Sequence, residues 1–184
     1  MRKTIFRGRI VDLGIESITL PSGVPVELEI IRHPGAAAVV PLHDDGTVTL
    51  VRQYRHAGGG MHIELPAGVL EAGEEPEACA ARELSEEVQL AAHTLTHLST
   101  IHTTPGFTDE RIHIFLGTGL SVTNGVPEDD EFLQPVRLPL TEAIAMVRSG
   151  AITDGKTICG LMLAHLETTA QHSASTEPSL YPSA

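Results

Sequence analysis

The chain has 184 residues, 41% of them apolar but only 3% aromatic and none of them Trp, so one aliphatic core is expected. Its 24 acidic residues against 12 basic ones give a formal charge of −12. Such a surface repels nucleic-acid backbones and anionic membranes, so neither is expected as a partner; an anionic small molecule would need cations as a bridge.

The start, "MRKTIFRGRIVDLG", carries charge and lacks the continuous apolar core of a signal peptide, and no run reaches membrane-spanning length. Cys79 and Cys159 are the only cysteines, too few and too far apart for a disulfide framework. They read as small interior hydrophobes, and a reduced, cytoplasmic protein is the expectation. Short strand-like runs follow at 16–20, 24–30, 36–42 and 47–54, separated by the turn signals "PSG", "HPG" and "HDDG". A glycine loop, "HAGGG", precedes the strand-like "MHIELPAG".

A helix is predicted from Pro76 to Val88, with Pro76 at the first helical position and Ala81, Leu84 and Val88 as its buried stripe. Strands are predicted at 94–102 and 111–120. After the acidic "PEDDE" come "FLQPVRLPL" and helical patterns at Thr141–Arg148 and Thr157–Thr168. The Ser/Thr/Pro-rich stretch 169–184 reads as a disordered tail. His93 and His97 stand four apart on a strand without an obvious third ligand and read as surface residues.

The stretch "GVLEAGEEPEACAARELSEEVQL" (68–90) concentrates carboxylates. On a helix, Glu83, Glu86 and Glu87 share one face, taken to lie opposite the Leu84 stripe. Most acidic runs are solvated faces. Three like charges at this spacing, behind a "PAG" turn and beside Arg82, instead suit a hard divalent cation, which takes several oxygen ligands at once.

Gly68, Glu74, Arg82, Glu83, Leu84, Glu86, Glu87 and Leu90 stand in the spacing of the Nudix hydrolase signature, which the chain resembles. The one departure is Gln89, where the signature has Gly. The resemblance implies an α/β/α sandwich with a mixed sheet over 36–168, preceded by a β-rich segment at 1–35 that exchanges across a homodimer. It implies metal ligation by Glu83, Glu87, the Ala67 carbonyl and Glu86, with Glu86 also among the catalytic carboxylates. In the acidic loop it puts Glu131 as a further ligand and Asp129 as the base, Glu128 being the alternative base.

"VRQYRHA" (51–57), "IELPAG" (63–68) and "TPGFTDERIHIFLG" (104–117) look like the ADP-ribose pyrophosphatase branch. That likeness implies substrate contacts at Arg55, Arg52, Val69 and Pro105, and a magnesium-dependent hydrolysis of ADP-ribose, with manganese or another divalent cation able to substitute. Glu64 is either a metal- or water-orienting group or an edge-strand acid. The alternatives are a pyrophosphatase for another nucleotide sugar or dinucleotide, such as GDP-mannose or NADH, and a ligand-sensing Nudix domain without catalysis.

Overall fold

The computed structural model describes residues 1–125 and 133–175. Glu128, Asp129 and Glu131 lie outside the described residues.

The first 32 residues form an antiparallel meander of β1 (Arg2–Arg7), β2 (Asp12–Thr19) and β3 (Pro25–Arg32). The apolar pattern does not announce β1, because Arg2, Lys3 and Arg7 interrupt it. Besides the strand ladder, Arg2 and Arg7 fasten it to Asp12 of β2 at 2.7 and 2.9 Å. The loop carrying "PGFTDE" clasps the end of β3: Arg32 pairs with Asp109 at 2.8 Å, and the His33 N–H donates to the same carboxylate at 2.9 Å.

Seven strands then make two sheets. The mixed sheet runs β7-β4-β9-β8, from β4 (Ala36–Pro41), β7 (Ala67–Val69), β8 (Leu90–His102) and β9 (Arg111–Val122), with β4 and β9 parallel. The second, antiparallel, runs β10-β5-β6, from β5 (Thr47–Arg55), β6 (Gly60–Glu64) and β10 (Leu133–Pro139). Every residue of β4 is buried, and its alternation serves two cores. Ala36, Ala38 and Val40 face α2 (Leu140–Ser149) and α3 (Gly155–Ser175), whereas Ala37 and Val39 face α1 (Pro76–Val88). Helices therefore cover opposite faces, which gives the α/β/α sandwich. Leu84 on α1 and Leu161 on α3 are wholly buried; each such side chain contributes about 1.5–3 kcal/mol. Gly160 lets α3 approach closely, since a Cβ there would stand 2.5 Å from Leu65.

Helix α1 has the predicted bounds, and Leu84 and Val88 of its expected apolar seam are buried, but Ala81 is not. Cys79 and Ala80 are buried as well. Glu83 and Glu87 share that buried face instead of opposing it. At about 100° per residue the buried residues span half the helix, and Ala81 falls just past its edge. Gln89 ends the helix in the left-handed region at φ 55°, where Gly is usual. Its side-chain amide donates to the Gly125 carbonyl at 3.1 Å, a contact that offsets part of the conformational cost. Helix α3 runs to Ser175, past the Thr168 limit of the apolar pattern.

Candidate active site

The strand β7 and the second half of α1 line one cavity of about 740 Å³. Ala67, Gly68 and Val69 line one wall; Arg82, Glu83, Glu86 and Glu87 line another; Gln53, Tyr54 and Arg55 close the β5 side. The size suits a nucleotide-sized ligand.

Two carboxylates here are buried inside the protein. Glu83 is 8% and Glu87 5% exposed. The Ala67 N–H donates to Glu87 Oε2 at 3.0 Å, so the strand and the helix meet at that carboxylate. Gly68 leaves room for a carboxylate: a Cβ there would stand 1.7 Å from Glu83 Oε1, so Glu83 would have to shift.

Arg82 organises the acids around it. Its Nε donates to Glu74 at 2.9 Å, its Nη1 to Glu83 at 2.6 Å and to Glu86 at 3.0 Å, and its Nη2 to the Val69 carbonyl at 3.2 Å. One guanidinium thus joins the loop before α1 to the carboxylate face. Glu74 belongs to the motif as the counter-ion of Arg82. Hydrogen bonds from Arg82 and from the Glu71 N–H hold the Glu74 carboxyl down to about 2.

A carboxyl depressed on folding contributes stability above its unfolded value, near 4.5, and that contribution is lost as pH falls through about 2. Glu74→Gln is therefore expected to lower the melting temperature at neutral pH and to flatten its decline between pH 4.5 and 2. Melting curves across that window check it; parallel wild-type and variant profiles would contradict the pairing. Burial pushes the neighbouring Cys79 thiol up to about 12, so it behaves as a packed, inert hydrophobe. Cys159 is half-buried against the other core, and neither cysteine is in a disulfide.

Arg55, at the end of β5, forks onto Glu64 at 3.0 and 2.9 Å. Burial pushes the Glu64 carboxyl up, but Arg55 and Lys156 outweigh it and hold it below the ordinary value. Lys156, from the first turn of α3, donates to Glu64 at 2.5 Å and lines the same cavity.

The cavity thus gathers Ala67, Val69, Arg55, Glu83, Glu86 and Glu87 from the residues singled out in the sequence. Arg52 and Pro105 are exposed and are not among its lining residues. Pro105 sits in the turn whose far end supplies Glu110 to the cavity. Gln53 and Arg55 share a strand face that Arg52 does not, yet Tyr54, on the face of Arg52, also lines the cavity, so alternation alone does not place Arg52. Arg9, Ile10 and Lys156 also line the cavity without having been singled out in the sequence, as does Glu110, which lies within the branch-like stretch 104–117 but was not itself picked out.

The donors on the acidic wall are oxygens only, which suits a hard divalent cation. Among the described residues no three such side chains are gathered around one point, and Arg82 stands between Glu83 and Glu86. The chemistry of the donor set and the burial of Glu83 and Glu87 fit a cation, and Arg82 orients Glu83 and Glu86 beside it.

The family model of the NUDIX domain matches residues 32–159. The chain belongs to the Nudix family. This Nudix protein is 39% identical over 172 residues to an ADP-ribose pyrophosphatase of Bacillus subtilis (strain 168), covering 92% of this chain and 93% of that one. It is 36% identical to a methanol dehydrogenase activator of Bacillus methanolicus, over 91% of this chain and 92% of the other. A crystal structure of an ADP compounds hydrolase shares the fold with a TM-score of 0.81, at 23% identity and 93% coverage of each chain. Nudix hydrolases generally use divalent cations, in agreement with the all-oxygen wall. Among the described residues no helix is long and apolar enough to cross a membrane.

Proposed function

We propose that this Nudix hydrolase cleaves ADP-ribose with magnesium, giving AMP and ribose 5-phosphate. The observation that carries the reading is the likeness to the Bacillus subtilis ADP-ribose pyrophosphatase over nine-tenths of both chains, well beyond the signature. Water adds to one phosphorus of the diphosphate, the bridging oxygen leaves with the other half, and each product departs with one phosphate.

The cation would be held by Glu83, Glu87, Glu86 and the Ala67 carbonyl. The chemistry it supplies is neutralisation of the diphosphate and a lowered pKa for the attacking water. Arg55 and the backbone at Val69 face the same cavity and would bind the substrate, a guanidinium being suited to two phosphate oxygens. Glu131 is proposed as a further ligand, and the water's proton is assigned to Asp129 or Glu128. Arg52 and Pro105 would act from outside the cavity wall, Pro105 by shaping the turn that leads to Glu110.

The test is a panel of ADP-ribose, GDP-mannose, UDP-glucose and NADH assayed with magnesium, before and after chelation. ADP-ribose is expected to give the highest kcat/KM, and chelation to abolish turnover until magnesium is restored. A higher value for GDP-mannose or NADH would sink the substrate assignment and leave the cation chemistry standing.

We also propose a cytoplasmic homodimer formed through the N-terminal segment, residues 1–35. Ile5, Phe6, Ile10, Ile18, Val24 and Leu28 all lie exposed there, a density of apolar side chains that favours a covering surface. Light scattering is expected to give twice the 19.6 kDa chain mass, and a single-chain mass would overturn the dimer. Two unpaired cysteines support a reducing compartment.

A further inference from the structure

The most heavily buried acid in the described structure that the reaction does not use is Glu64, at 3% exposure. It lines a second cavity and contacts two residues, Arg55 and Lys156, that line both that cavity and the first. The second cavity, of about 770 Å³, adjoins the first, and Arg55, Glu110, Ile112 and Lys156 line both. Burying a carboxylate is costly unless it is paired and hydrogen-bonded. Here the pairing is complete: both Glu64 oxygens accept from Arg55, at 3.0 and 2.9 Å, and one also accepts from Lys156 at 2.5 Å.

The contacts continue behind Lys156. Its ammonium donates to Asp154 at 3.1 Å, and Asp154 caps α3 by accepting from the Thr157 N–H at 2.9 Å and its hydroxyl at 2.6 Å. The Leu65 N–H donates in turn to that hydroxyl at 2.9 Å, which pins the residue after Glu64 to the same helix end. Two acids and two bases form a charge-balanced set, so the arrangement is self-sufficient without a cation.

We propose that Glu64 is a positioning residue: with Lys156 and Asp154 it fixes the Arg55 guanidinium at the junction of the two cavities, so that the start of α3 sets where the substrate's anion is held. The inference rests on the reading of Arg55 as a diphosphate contact. A long arginine side chain at an exposed strand end otherwise samples many rotamers, and a two-point fork removes that freedom before the ligand arrives.

The test is a double-mutant cycle on the full chain with Glu64→Gln and Arg55→Ala. Glu64→Gln keeps the side-chain volume and is expected to raise KM for ADP-ribose about tenfold, with kcat within about threefold of wild type. The double variant is expected to be no worse than Arg55→Ala alone. Effects that multiply, or a fall in kcat at unchanged KM, would overturn the proposal.

A second readout does not depend on turnover. In side-chain ¹⁵N spectra, an exchange-protected arginine Nε–H resonance that vanishes in Arg55→Ala is expected, with its protection lost in Glu64→Gln. Persistence of that protection would overturn the proposal. Absence of wild-type turnover on ADP-ribose would sink the substrate reading, while this resonance would still decide the role of Glu64. Should Glu64→Gln not fold, Lys156→Met is expected to give a smaller KM rise of the same kind, and an unchanged KM there overturns the relay.

Discussion

Replacing Glu87 by Gln is expected to lower kcat on the order of a thousandfold, about 4 kcal/mol of barrier, without loss of fold. The carboxylate is 5% exposed and one of its oxygens takes the Ala67 N–H. A Gln side chain has the same length and keeps an oxygen for that donor. What it lacks is the charge, which is costly to bury and which a bound cation would neutralise. The melting temperature without metal is therefore expected to hold or rise while turnover collapses. Glu83→Gln should lose turnover similarly but also weaken the contact with Arg82 at 2.6 Å, so its melting temperature should fall. Measuring kcat at saturating magnesium and melting without metal separates the two. Near-native turnover in either variant would sink the assignment of these acids as cation ligands.

The local part of this site was legible because its geometry is local. Gly68, Glu74, Arg82, Glu83, Glu86 and Glu87 lie within one loop and one helix, where residue spacing converts directly into spatial position. Even there one of the three seam residues, Ala81, came out exposed while Leu84 and Val88 held, since the spacing cannot say that two acids would be buried beside Leu84. Strand β1 escaped because cross-strand ion pairs with Asp12 help hold it, and its own apolar alternation is weak. The least legible part was the pair Glu64 and Lys156, 92 residues apart, which meet only because α3 docks across the sheet. Arg52 and Arg55 differ by three in a strand of period two and so point to opposite faces, but the pattern does not say which face meets the cavity, and Tyr54 reaches it from the face of Arg52. The likeness in "PGFTDERIH" marks a real structural unit, whose Asp109 fastens β3 and whose Glu110 reaches the cavity, whereas Pro105 itself stays on the surface.

Gly68→Ala tests the packing behind the carboxylates by adding a single methyl group. That methyl carbon would stand 1.7 Å from Glu83 Oε1 and 2.1 Å from its Cδ, far inside contact distance. An acid at the end of a flexible chain can often swing aside at little cost. Glu83 has less freedom, because it is 8% exposed and its carboxylate is held by Arg82 Nη1. Moving it breaks that hydrogen bond and disturbs the guanidinium that also holds Glu74, Glu86 and the Val69 carbonyl. Overpacking of this kind typically costs about 1–3 kcal/mol. The carboxylate would also leave the wall it shares with Glu87, and a displacement of about 1 Å in a positioned group can cost about a hundredfold in rate. Gly68→Ala is therefore expected to lower both the melting temperature and kcat, the latter by about a hundredfold or more. Glu83→Gln combined with Gly68→Ala should add little further loss of turnover, since both act through the same carboxylate. Multiplicative losses in the double variant would mean that Gly68 matters for some reason other than room for Glu83.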